Sequence, residues 1–217
     1  MEGRITAITR QKNDKARASL YLDEAFAFGL NDQTVEQFRL RKGDYIDSEL
    51  HQQIVDFDYF VDAKRIALAF LNYRARSEKE IRDRLKREEI PEEVMTRVIL
   101  FLGENGLVND GAWAKAFVND TLHRKPVSSR QLEFGLKQKG VSKEVIEETL
   151  AELNRSESDE DRALQAAEKR WPRILRSEAD PKKQKQKLYT FLAGRGFGYD
   201  TIKVVGNKLA GDVDEDQ

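Results

Sequence analysis

Apolar positions change their period once along this chain. Up to about residue 30 they alternate with polar ones. Arg4-Ile5-Thr6-Ala7-Ile8-Thr9 is followed by the polar stretch Gln11 to Lys15, then by Ala16 to Leu22, Asp23-Glu24, and Ala25 to Leu30. Short β-branched runs of period two, bounded by polar turns, predict a small antiparallel meander of three strands. Val35, Phe38 and Leu40 predict a short helix behind it, ended by Arg41-Lys42-Gly43-Asp44. So small a sheet needs a cover, supplied by that helix or by the chain beyond it. From about residue 49 onward the spacing is helical throughout.

Within the helical part, three segments of 25 residues align without a gap: residues 78–102, 129–153 and 185–209. Ile81, Leu132 and Leu188 share one column, and four residues on come Leu85, Leu136 and Leu192. That spacing makes one apolar stripe on a helix. Ile90, Val141 and Phe197 come next, then Met95, Ile146 and Ile202, and Leu102, Leu153 and Leu209 close the segment. One residue before Val141 and Phe197 stand Gly140 and Gly196, which suit a left-handed helix end. The first copy has Glu89 there, at a cost of roughly 1 kcal/mol if the turn is the same.

Each segment therefore reads as two helices joined by a tight turn, and a further helix precedes each: Ala63 to Tyr73, Ala112 to His123, and Asp161 to Trp171, the last ended or bent by Pro172. Start signals agree. Ser77 with Glu80, and Ser128 with Gln131, have capping-box spacing. Ser142 is a candidate N-cap, and Asp180-Pro181 offers a cap followed by proline at the first helical position. The predicted fold class is mainly α: tandem three-helix repeats in an elongated array with a small N-terminal antiparallel β meander. The expected boundaries are 1–48 for the β-rich region, 59–106, 107–155 and 158–210 for the repeats, and 211–217 for an acidic tail. A lone three-helix unit buries little, and tandem stacking extends its core.

Composition changes this picture in one respect. Charged residues make up 35% of the chain and apolar ones 39%, richer in charge than an average globular protein, yet 38 Lys and Arg against 39 Asp and Glu leave a net charge of -1. There is no cysteine, which excludes disulfides, thiol catalysis and cysteine-bound metals. The N-terminus lacks the apolar core of a secretory signal, and no run approaches a membrane span. A cytoplasmic protein is expected.

The near-neutral total hides a polarised distribution. In the first segment Glu78 precedes Arg82 by four residues, Glu80 precedes Arg84, and Asp83 precedes Arg87, which are favourable helical pairs. A solvated, salt-bridged face explains these, but Arg74, Arg76, Lys79 and Lys86 have no such partner in the same helix. Around the second segment lie Arg124, Lys125, Arg130, Lys137, Lys139 and Lys143 against the single carboxylate Glu133. From Pro181 to Arg195 lie Lys182, Lys183, Lys185, Lys187 and Arg195, with no acid in that window. Acids collect instead at Glu92-Glu93, Glu144, Glu147, Glu148 and the tail. Like charges this dense cost stability unless an anionic partner relieves them, and such a surface suits a phosphate backbone or an acidic groove.

No catalytic constellation emerges. His51 and His123 are far apart and lack metal-ligand spacing. Gly194-Arg195-Gly196-Phe197-Gly198 is not a phosphate loop of the G-x-x-x-x-G-K-[ST] type and falls at the repeated helix turn. Trp113 and Trp171 sit at helical spacing, as core residues do. The chain reads as a non-enzyme needing no cofactor and no metal.

The triple repeat, the R-S-E-K-E-I-R-x-x-L run from Arg76, the A-x-x-F-V of Ala114 to Val118, and K-Q-K-L-Y-x-F-L-A-x-R-G-F over 185–197 together resemble the RecX family, across about residues 60–209. The N-terminal meander, with its YLDEAFAFGL, resembles an extension found in some members. The resemblance implies a monomeric, curved, helical regulator of the RecA recombinase, acting in DNA repair, homologous recombination and the SOS response. It implies a protein that lies in the groove of the RecA filament on DNA, inhibits ATP hydrolysis and strand exchange, and also binds single- or double-stranded DNA directly. It carries over no catalytic residue. The binding candidates are Arg74, Arg76, Lys79, Arg82, Lys86, Arg124, Lys125, Arg130, Lys137, Lys139, Lys182, Lys183, Lys185, Lys187 and Arg195. Three readings stand: a filament regulator, a DNA-binding helical repeat protein without a recombinase partner, and a scaffold for an unrelated acidic protein. The first and second both expect the cations to share a continuous ridge.

Overall fold

The structure, a computed structural model, describes residues 1–12 and 14–210; the expected acidic tail lies outside the described residues. The chain divides into two compact units, the first comprising residues 1–76 and 80–108 and the second residues 77–79 and those from 109 onward.

The first unit opens with the sheet. β1 (Gly3–Arg10), β2 (Arg17–Leu22) and β3 (Ala25–Asn31) form the expected antiparallel meander. The β2–β3 turn is the two-residue pair Asp23-Glu24, with φ of 46° and 70°, the left-handed geometry that matches the twist of a tight hairpin. α1 (Asp32–Gln37) comes next, and then a strand that the alternation does not show: β4 (Tyr45–Ile46), pairing with Gly3 and Arg4 of β1. The sheet has four strands, ordered β3-β2-β1-β4, rather than three. Two residues are too few for a period to register; what fixes β4 is Ile46, fully buried among Ile5, Leu20, Leu22, Leu30 and Ile54.

Both expected covers contribute to that core. α1 supplies Val35, and the 24-residue α2 (Ser48–Leu71), capped by Asp47, supplies Leu50 and Ile54. A buried carboxylate ties sheet to helix. Asp58 accepts from the Asn31 backbone N–H at 2.7 Å, from Asn31 Nδ2 at 3.0 Å and from Thr34 Oγ1 at 2.6 Å. Arg17 closes the network through Asp62 at 2.8 Å. Further along α2, Ala63 and Ala67 enter a second core with Ile81 and Leu85 of α3 (Glu78–Lys86) and Val94, Val98 and Leu102 of α4 (Glu92–Glu104). One helix thus serves the sheet with its first half and the first repeat with its second.

The second unit holds two more three-helix sets, α5 (Asp110–Arg124), α6 (Ser129–Gln138) and α7 (Lys143–Ser156), then α8 (Asp159–Ser177), α9 (Pro181–Ala193) and α10 (Tyr199–Ala210). Each set has its own core on the repeat columns: Leu132, Leu136, Val141 and Ile146 around Trp113 in one, Leu188, Leu192, Phe197 and Ile202 against Ala163 and Ala167 in the other. Ser128 accepts from Gln131 N, Ser142 from Val145 N and Asp180 from Lys182 N, as the caps predict. Ser158 and Asp161 add a reciprocal capping box at α8.

The left-handed column is real. Glu89, Gly140 and Gly196 have φ of 57°, 75° and 83°. In each turn the next residue's N–H donates five residues back, Ile90 to Leu85, Val141 to Leu136 and Phe197 to Leu192, the six-to-one bond of a glycine-type helix end. Pro172, by contrast, does not end its helix; α8 runs five residues past it. Proline removes a backbone donor, but Ile174 beyond it is buried against the Leu188–Val205 core. Burying such a side chain contributes roughly 1.5–3 kcal/mol, enough to hold the last turn in register.

Candidate nucleic-acid interface

Most first-repeat cations are engaged locally. Arg74 makes a two-pronged contact with Glu80, at 2.9 and 3.3 Å. Arg82 reaches across the turn to Glu92 at 2.9 Å, and Arg84 pairs with Glu88. These partners lie across turns and loops as well as along the helix, where spacing arguments look. The stem of Lys79 lies against the backbone position of Gly140. Arg76 holds its guanidinium 3.9 Å from the Phe70 ring centre, with its Nε buried and without a hydrogen-bond partner among the described residues. Lys86 is exposed at the end of α3.

The second unit differs. Arg124, Lys125 and Arg130 are exposed and form no ion pair among the described residues. Lys137 pairs with Glu133 at 2.5 Å, which holds that carboxyl below its usual range. Lys139 caps α6, and its carbonyl accepts from Ser77 Oγ at 2.8 Å. On α9, Lys187 pairs with Glu178 at 3.0 Å, an acid just outside the acid-free window. That hydrogen bond, with further help from an Asp180 N–H and the charges of Lys187 and Lys183, pushes the Glu178 carboxyl down. Lys182, Lys183 and Lys185 form no ion pair among the described residues.

A single ridge does not describe α9. Residues three and four apart share a helix face, so Lys182, Lys185 and Tyr189 fall on one flank and Lys183, Lys187 and Phe191 on the other. The first flank carries an aromatic pair, Tyr189 and Tyr199, with ring centres 6.3 Å apart and exposures of 40% and 61%. Where α6 meets the α9–α10 turn, Arg130, Gln131, Phe134, Ala193, Gly196 and Phe197 line a shallow groove, with Phe134 57% exposed. The Ser128 N–H donates to the Arg195 carbonyl at 3.1 Å, locking the two repeats together beside it.

The second flank ends in a cluster. Arg195 lies 3.8 Å from the centre of the Phe191 ring and Arg170 5.5 Å from it. Both Nε atoms are buried without a hydrogen-bond partner among the described residues. Burial, and then the charge of Arg170, hold the Arg195 guanidinium below its ordinary pKa. Sequence reasoning missed Arg170, Phe134, Tyr189 and Tyr199. Arg170 did leave a signal: it stands three residues after Ala167 and four before Ile174, a charge on the apolar stripe of α8.

Chemically, this surface offers cations without carboxylate partners, interleaved with exposed aromatic rings. That combination holds polyanions and stacks bases. Among the described residues no group of three or more His, Asp or Glu could hold a metal ion, and no helix is long and apolar enough to cross a membrane.

Comparison with known proteins agrees along almost the whole chain. Family models match in order: the regulatory protein RecX N-terminal domain over residues 3–47, and the first, second and third RecX three-helix domains over 63–102, 109–150 and 157–205. Regulatory protein RecX of Clostridium botulinum (strain Alaska E43 / Type E3) is 34% identical over 202 residues, 93% of this chain and 94% of that one. Regulatory protein RecX of Clostridioides difficile (strain 630) is 34% identical over 207 residues, 95% and 96% of the two chains. A crystal structure of regulatory protein RecX matches with a TM-score of 0.72 at 26% identity, covering 94% of this chain and 98% of that one. With its sheet, its three helical repeats and their left-handed turns all accounted for in sequence order, the chain belongs to the RecX family of regulatory proteins.

Proposed function

We propose that this protein is a non-enzymatic inhibitor of the RecA recombinase, acting as a monomer in the cytoplasm and binding the RecA–DNA filament through its basic surface. Family membership supports the regulatory role. The observation that carries the binding mode is the set of cations in the second unit with no ion pair among the described residues: Arg124, Lys125, Arg130, Lys182, Lys183 and Lys185. They are kept without carboxylates in a chain with acids to spare. A nucleoprotein filament supplies the missing negative charge. The N-terminal sheet, held to α2 by the Asp58 network, acts as a brace for the first repeat.

The test is a titration of the protein onto a preformed RecA filament while DNA-dependent ATP hydrolysis is followed. Inhibition is expected at or below one protein per RecA; no inhibition at low salt refutes the reading. The exposed aromatics beside these cations favour one alternative, a DNA-binding repeat protein without a recombinase partner. That alternative expects salt-steep DNA binding with ATP hydrolysis untouched.

A further inference from the structure

We propose that Arg170 and Arg195, stacked on Phe191, form a clamp for one phosphodiester group of a nucleic-acid strand, at the end of the cationic flank of α9. The inference deepens the reading of the basic surface as a nucleic-acid interface and rests on it.

Two guanidinium groups share one aromatic ring, with no ion pair or hydrogen bond to either among the described residues. Their Nε atoms are buried and unsatisfied, a condition native proteins leave in few places. Burial first, and then repulsion from Arg170, disfavour the charged form of Arg195. The ring packs against both guanidinium groups, and their terminal amino groups have no protein partner among the described residues. A phosphodiester has two non-bridging oxygens, and planar guanidinium groups bind such oxygens in pairs.

A strand, rather than an isolated carboxylate, fits what lies next to the clamp. Lys183, Lys187 and Phe191 succeed one another at four-residue steps, a row of about 12 Å at a helical rise of about 1.5 Å per residue. A nucleic-acid strand in a duplex advances about 3.4 Å per phosphate, so that row spans three to four phosphates. Lys183 has no ion pair among the described residues, and Lys187, itself half-exposed, is held by one ion pair there, to the half-buried Glu178. A single acidic side chain would satisfy the clamp and leave the row unused.

The experiment measures binding of a fluorescently labelled single-stranded oligonucleotide to the full chain, by anisotropy across a salt series. Arg170→Gln with Arg195→Gln is expected to weaken binding about tenfold at low salt. It is expected to flatten the plot of log affinity against log salt by about 0.7, the loss of one phosphate contact on a single strand. Arg195→Lys keeps the charge but not the planar fork, so the salt slope is retained while affinity falls. Thermal melting of each variant within about 2 °C of the parent shows that the fold is intact. Unchanged affinity and slope in the double variant overturn the clamp. So does loss of polyglutamate binding with DNA binding intact, which makes the site a carboxylate receptor. The ATP hydrolysis assay keeps the two readings apart. If the parent protein inhibits RecA while the double variant binds DNA normally, the clamp fails and the filament reading stands. If the clamp governs DNA binding but nothing inhibits RecA, the filament reading fails and the clamp stands.

Discussion

Two arginines of α8 stand eight residues apart and have opposite surroundings. Arg162, 1% exposed, has every nitrogen engaged: Nε with the Val127 carbonyl at 3.2 Å, Nη1 with the Glu157 carbonyl, and Nη2 with Ser129 Oγ at 2.9 Å, Asn154 Oδ1 at 3.1 Å and Asp159. It ties the start of the third repeat to the second. Arg170, further along the same helix, has a ring beneath it and a second arginine beside it, and no acceptor among the described residues. A buried charge that is fully hydrogen-bonded has its reason within the fold. A partly buried charge left without acceptors, next to another of the same sign, has its reason outside it.

The sharpest way to break this contrast is Arg162→Leu. The change strands Asp159, Asn154 and the carbonyls of Val127 and Glu157, and removing one partner of a buried network costs about 3–5 kcal/mol. A fall in melting temperature of roughly 6–20 °C is expected for a chain of this size, with DNA binding by the folded fraction intact. If the variant melts like its parent, hydrogen-bond satisfaction is no guide to role here. A smaller effect is expected at the junction that Arg162 supports. Gly196 has φ of 83°, and a Cβ there would lie 2.6 Å from Ser128 Oγ. Gly196→Ala is expected to cost about 1–3 kcal/mol from the left-handed backbone and the close approach. Gly198→Ala, with nothing near the added carbon, stays within about 0.5 kcal/mol. Chemical denaturation of both variants checks the difference.

These sites show what the sequence could and could not carry. The repeat columns, the left-handed turns and the caps at Ser128, Ser142 and Asp180 were legible because each is a local pattern at fixed spacing. β4 was not, because two residues have no period. Pro172 does not end its helix: local propensity does not count the burial of Ile174 two residues later. The charges were legible only as an inventory. Spacing along one helix could not pair Arg74 with Glu80 or Lys187 with Glu178, and it could not single out Arg162 in a helix whose charges look balanced. The exposed tyrosines Tyr189 and Tyr199 were not singled out, because helical spacing does not say which aromatic rings packing leaves outside.

The contrast is sharpened further at Glu178, the carboxylate paired with Lys187. Its pKa is depressed from the ordinary 4.5, first by the Lys187 hydrogen bond. The stabilisation from this pair is therefore present above the unfolded pKa and is lost as pH falls through the depressed one. Acid then releases Lys187. Glu178→Gln does the same at neutral pH and is expected to raise DNA affinity about twofold to fivefold and to steepen the salt dependence by about 0.7, one added phosphate contact. An unchanged slope means that Lys187 does not face the strand.

The smallest expected effect lies in the first repeat, at the one repeat turn where a side chain occupies the left-handed position. Glu89, with φ of 57°, is exposed and forms no ion pair among the described residues, so nothing it touches offsets a backbone cost of roughly 1 kcal/mol. Glycine relieves that cost but enlarges the freedom of the unfolded chain by a similar amount. Asparagine tolerates the left-handed region without that penalty. Glu89→Asn is accordingly expected to raise the melting temperature by about 1–3 °C, and Glu89→Gly by less, the reverse of the order expected if flexibility alone mattered. Should both lower it, the Glu89 side chain makes a stabilising contact within the protein in solution, and this exposed residue belongs with Arg162 among those whose reason lies inside the fold.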